Sequence, residues 1–76
     1  MLERVIFHCA CYRYRREGED CGIVYHLRHG NIFLIRGNTL RFLELLIEHG
    51  TLMVDTSRPV MQFLLQESII ITVGDD

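Results

Sequence analysis

The stretch Arg28-His29-Gly30-Asn31-Ile32-Phe33-Leu34-Ile35-Arg36-Gly37-Asn38-Thr39-Leu40 decides the fold. Gly30 and Asn31 both tolerate positive φ, so they predict a tight hairpin turn leading into the apolar strand Ile32 to Arg36. Gly37-Asn38-Thr39 then offers a turn with a helix cap, after which Leu40, Leu43, Leu46 and Ile47 recur on one helical face. A hairpin strand followed at once by an amphipathic helix marks an α+β chain.

Toward the N-terminus, the β-formers from Gly22 to Leu27 make the strand that enters the hairpin. Residues 4–14 carry Val5, Phe7, Cys9 and Cys11 at a spacing of two and predict one further strand. The polar run Arg15 to Asp20, with Gly18 inside it, is the loop between them. Toward the C-terminus, Gly50 stops the first helix, whose solvent side holds Arg41, Glu44 and Glu48. Phe42 and Leu45 widen its apolar arc, so both flanks are expected to be covered.

Residues 51–54 have an ambiguous, extended character. Asp55-Thr56-Ser57 supplies a second cap with Pro59 in the first turn, predicting a helix through Val60, Met61, Phe63, Leu64 and Leu65 to about Ser68. The β-branched run Ile69 to Val73 can finish the sheet, swap to a neighbour or continue the helix, and Gly74-Asp75-Asp76 is a polar end expected to fray. The expected architecture is a three-stranded antiparallel sheet packed on two or three helices, in a single domain spanning residues 1–76.

At 76 residues the chain buries only about 60% of its unfolded surface, which excludes a large enzyme core. It is 49% hydrophobic and 24% charged, too apolar for a disordered segment. No apolar run reaches the ~18 residues of a spanning helix, and Met1-Leu2-Glu3-Arg4 lacks the plan of a secretory signal, so a cytoplasmic protein with no membrane partner is expected. Ten acids against eight bases give a net charge of -2, which speaks against nucleic acid as a partner. Every base is arginine. The dense patch Arg13, Arg15 and Arg16 runs into Glu17, Glu19 and Asp20, the pattern of a solvated loop.

Cys9, Cys11 and Cys21 form an odd set that suits reduced thiols. With His8, His26 and His29 they suggest a zinc site on paper. No C-x-x-C pair is present, so half-buried thiols acting as small hydrophobes are expected, with no metal and no cofactor. A Cys/His nucleophile lacks a glycine-rich elbow, no glycine–lysine pair opens a phosphate loop, and Glu44 with Glu48 reads as solvated surface. The chain is expected not to be an enzyme.

An interaction surface remains. The edge of a three-stranded sheet can accept an extended peptide as an added strand, and no lysine or proline blunts the run from Ile32 to Arg36. Ile32 and Leu34 face one way and Phe33 and Ile35 the other, so one face is core and the other meets a helix or a guest. If the second helix stands beside this strand, Met61 and Leu65 form the far wall of a groove; otherwise Phe33, Ile35, Leu64 and Met61 are simply core.

The segment Asn31 to Thr51, an apolar strand, polar turn, leucine-rich helix and closing glycine before threonine, resembles the precursor-peptide recognition elements of ribosomally made, modified peptide pathways. These are relatives of the small pyrroloquinoline-quinone biosynthesis chaperone. Pro59 to Ile71 is similar to that family's last helix, with Phe63-Leu64 matching its commonest apolar pair. The family places a short middle helix between these segments; only Leu52 to Ser57 is available for it here, so the resemblance implies a reduced winged helix-turn-helix. It further implies that the chain clasps the leader of a precursor peptide beside its third strand, against the last helix, and presents it to a modifying enzyme, often a radical iron-sulfur enzyme. By position the clasp falls on Ile32, Phe33, Leu34, Ile35 and Arg36, with Arg58, Met61, Gln62 and Leu65 opposite, and Arg36 or Arg58 pairing acidic side chains.

Two other classes share this element order. A small winged-helix DNA-binding regulator would read the groove with residues 58–68, which hold one arginine and one glutamate and so meet phosphate poorly. A structural or assembly subunit would use the exposed edge and the apolar tail for homo-oligomerisation by strand pairing, a homodimer being one such form.

Overall fold

The computed structural model describes residues 2–74, so Asp75 and Asp76 of the expected frayed end lie outside the described residues. The chain is α+β: two antiparallel three-stranded sheets and two helices share one core. In chain order the elements are β1 (Leu2–Phe7), β2 (Tyr12–Arg16), β3 (Cys21–His26), β4 (Ile32–Arg36), α1 (Gly37–His49), β5 (Leu52–Asp55), α2 (Pro59–Gln66) and β6 (Ile70–Thr72). One sheet runs β2-β3-β4 and the other β5-β1-β6.

The single strand expected over residues 4–14 is two strands in two sheets. His8 to Cys11 turn instead, with the amides of Cys11 and Tyr12 donating to the carbonyl of His8 at 3.1 and 3.0 Å. Val5 is fully buried in the first sheet, whereas in the second it is Tyr12 that is buried, and Cys9 is exposed. The turn shifts the inward parity from odd to even residues, which a period-two reading cannot detect.

The hairpin of β3 and β4 forms as its sequence predicts. Gly30 takes φ +71° and donates to the carbonyl of His26, while His26 N–H donates to Asn31 O at 2.9 Å. Gly22 lies opposite Ile35 and is packed so closely that a Cβ would stand 2.7 Å from the Tyr14 ring and 3.0 Å from Leu40. Tyr14 reaches over this glycine to donate to Glu44 of α1 at 2.6 Å, and Arg16 binds both oxygens of the same carboxylate. Burial and the Glu44 bond push the Tyr14 phenol up to about 12. The same bonds from Tyr14 and Arg16 hold Glu44 below the usual carboxylate range.

Helix α1 starts at Gly37, within the turn expected to cap it and ahead of the expected start at Leu40; Arg36 occupies the cap position and no side chain caps it. Leu40, Leu43 and Leu46 are buried, but Ile47 is exposed and so is Leu45, so only the Phe42 flank of the helix is covered. Gly50, at φ 84°, ends it by donating to Leu46 O.

Strand β5 occupies the place where a middle helix would stand, pairing antiparallel with β1. Pro59 opens α2 at its first turn, as expected, but Asp55 and Ser57 bond each other in the preceding turn rather than capping the helix. The helix ends at Gln66 in a Schellman motif: Ser68 N–H donates to Leu65 O and Ile69 N–H to Leu64 O. Its left-handed position is held by Ser68, at φ 58°, where a side chain costs roughly 1 kcal/mol. Ser68→Gly is therefore expected to stabilise the chain by up to about 1 kcal/mol, read as a raised urea midpoint. The run after it forms β6 and pairs with β1, completing the first sheet.

Leu40, Leu43, Leu46, Leu64, Ile69 and Ile70 are all essentially inaccessible, and Val5 and Val24 bring in one strand of each sheet. Full burial of each such side chain contributes about 1.5–3 kcal/mol. Among the described residues, no helix is long and apolar enough to cross a membrane.

Candidate functional site: the open edge of β4

Among the described residues strand β4 pairs with β3 alone, and its other side is an edge. The bond from His26 N–H to Asn31 O fixes which groups face that edge. Hydrogen-bonded pairs alternate along an antiparallel ladder, so Phe33 and Ile35 turn their main-chain groups toward β3. Ile32 and Leu34 turn theirs outward, as does the N–H of Arg36, whose carbonyl accepts the first bond of α1. The final strand of the chain is committed to β1 and does not cover them.

Side chains alternate in the same register. Ile35 is 3% exposed and belongs to the core, and Phe33 is half-buried above it. Ile32 and Leu34 point the other way and are 66% and 55% exposed, opposite Tyr25 and Ile23. Both faces of β4 are apolar, but only the outer one is open.

Helix α2 meets β4 through Phe63. Its ring stands edge-on to Phe33, with centroids 5.4 Å apart, and is itself half in solvent. Tyr12 ties the end of the helix to this sheet by donating to Glu67 O at 2.6 Å. Phe63 is thus the helix residue that lines the strand edge. Its place in an apolar pair was visible in the sequence, but helical spacing could not tell which neighbour it would meet.

The other nominated residues divide. Met61 is 4% exposed and is core; Leu65 is half-buried against that core. Gln62 is exposed, with its amide nitrogen donating to Thr56 O at 3.1 Å, which ties it to the turn before α2. Arg58 is exposed and lines an open hollow of about 390 Å³ with Leu2, Phe42, Met53 and Met61, none of them on β4. Arg36 is exposed at the end of β4, on the same face as Ile32 and Leu34. No described carboxylate pairs with it. The arginines of β2 are already engaged: Arg13 donates to the carbonyls of Cys9 and Tyr12, Arg15 pairs with Glu17, and Arg16 with Glu44.

The thiols and imidazoles do not form a metal centre: among the described residues no group of three or more potential ligands comes together. Instead His26 organises the hairpin. Its Nδ1 accepts the amides of Arg28 and His29, each at 3.1 Å, so that nitrogen carries no proton. The ring also meets His29 at 4.4 Å and Tyr12 edge-on at 4.8 Å. Desolvation, then the charges of His29, Arg28 and His8, hold its pKa below the usual value. A folded pKa below the unfolded one means that the unfolded chain binds more protons in that interval. The turn is therefore fully stable above about pH 6.5 and loses stability as pH falls from there through the folded value. Amide exchange at Arg28 and His29 is expected to accelerate on acidification; exchange indifferent to pH after correction for intrinsic rates would refute the role.

No protein-family model, no curated protein and no solved structure matches the chain. The class that fold and site define is an α+β domain with an apolar, unpaired strand edge beside a helix.

Proposed function

We propose that this chain is a non-catalytic peptide-binding protein of the precursor-peptide recognition type, holding the leader of a ribosomally made precursor as an added strand along β4 and presenting it to a modifying enzyme. Its reading rests on one observation: the outward main-chain groups of Ile32 and Leu34 are unmatched beside exposed apolar side chains and the Phe63 ring. Main-chain bonds supply affinity, and pockets at alternate positions supply specificity. The partner enzyme, by the resemblance of Asn31 to Thr51 and Pro59 to Ile71, is of the radical iron-sulfur kind, and the chain does no chemistry itself. On this reading the elements on either side of β5 carry the resemblance, and β5 stands where the family's middle helix would be. A cytoplasmic site of action suits the free thiols of Cys9, Cys11 and Cys21.

The test is calorimetric titration of the leader of a precursor encoded beside this protein. Binding tighter than millimolar with amide shifts along β4 is expected. A monodisperse protein that binds no such leader at millimolar concentration would sink the reading.

A further inference from the structure

We infer that the β4 edge selects a peptide by order as well as by pattern: an acidic residue first, then apolar residues at the second and fourth positions after it. This rests on the strand-addition reading above and specifies its ligand.

The outward main-chain groups are those of Ile32 and Leu34 and the N–H of Arg36, whose carbonyl, at the helix cap position, accepts the first bond of α1. A guest residue opposite Ile32 or Leu34 therefore exchanges both hydrogen bonds, one opposite Arg36 takes its amide bond, and each shares the face of its partner. That face is the open one. Guest side chains opposite Ile32 and Leu34 extend the apolar stripe those residues make with Tyr25 and Ile23, which is too exposed to be core and too continuous to be scattered surface. The guest side chain opposite Arg36 meets a guanidinium with no carboxylate partner among the described residues. It also meets the start of α1, whose first turn holds no acid and whose cap position has no side-chain bond. Both features favour a carboxylate. The intervening guest residues face inward, toward Phe33 and Phe63.

Direction follows from the sheet. Its existing pairs are antiparallel, and antiparallel pairing is the more stable per residue, so the guest runs against β4. Its residue opposite Arg36 then precedes those opposite Leu34 and Ile32. A parallel guest would need the reverse order, with the acid last.

The experiment is selection of random peptides by messenger-RNA display on the full chain and on Arg36→Glu, with amide shifts recorded for the enriched peptides. Glutamate at a helix cap position suits the helix dipole, so the variant is expected to fold. Enriched peptides should carry the acid-first pattern. Arg36→Glu should weaken them at least about tenfold and enrich arginine or lysine at the acid's position. Peptides that shift β4 amides but lack the acid, place it last, or ignore Arg36→Glu overturn the ordering and leave strand addition standing. A library that yields no binder, binders that leave β4 unmoved, or a β4-paired dimer that no peptide displaces would overturn both.

Discussion

Leu34→Pro is expected to abolish peptide binding and leave the chain folded, whereas Ile35→Pro, one residue further on, is expected to unfold it. The two positions differ in where their amides point and in burial. Leu34 stands opposite Ile23 in a pair that exchanges no main-chain bonds, so its N–H faces the open edge. A proline ring there removes no bond of the folded chain, and edge strands tolerate it. It does remove a donor from the guest and sets the ring in the guest's path. An unsatisfied guest carbonyl costs about 1–3 kcal/mol, and with the steric conflict the loss should reach at least about a hundredfold. Ile35 is buried and turns its N–H toward Gly22. Proline there breaks a ladder bond and leaves the Gly22 carbonyl unpaired, at about 1–3 kcal/mol, and it also removes buried side-chain packing, so the combined cost approaches the stability of the whole chain. The check is paired: calorimetry for binding and amide dispersion for fold. Leu34→Pro that binds like the parent would end the strand-addition model.

A large stability effect away from the strand edge is expected at Leu43. It is fully buried in the middle of α1, facing the core shared by both sheets. Leu43→Ala removes that packing and leaves a cavity, costing about 2–5 kcal/mol. A chain of this length has roughly 4–11 kcal/mol in total, so the variant stands near its unfolding threshold at ambient temperature. Leu45, two residues along the same helix, is 45% exposed, and Leu45→Ala should cost under about 1 kcal/mol. Urea denaturation checks both, with the midpoint falling and the slope unchanged for Leu43→Ala. Equal losses at the two positions would mean that α1 packs by a different face.

Where the reading of residues succeeded, the cause was local. The hairpin at Gly30, the strand from Ile32 to Arg36, the glycine stop at Gly50 and the proline start of α2 each depend on a few neighbouring residues and their backbone preferences. It failed at His8 to Cys11, where an alternating pattern continued through a turn. It failed again at Ile47 and Leu45, which have apolar side chains at plausible helical positions but remain 39% and 45% exposed. The site divided along the same line. Ile32, Leu34 and Arg36 could be nominated from their alternation, but that Ile35 and Met61 are core while Phe63 stands at the edge depends on how α2 docks on the sheet.

The sequence by itself determined that this is an α+β chain with two helices and a hairpin closed by an apolar strand, because those features are written in backbone preferences and short-range periodicity. Only the tertiary structure decided that there are two sheets, that β6 goes to β1, and that the edge of β4 is left open. Pairing between β1 and β6 joins residues more than sixty positions apart, and which strand claims a free edge is settled by the packing of the whole core.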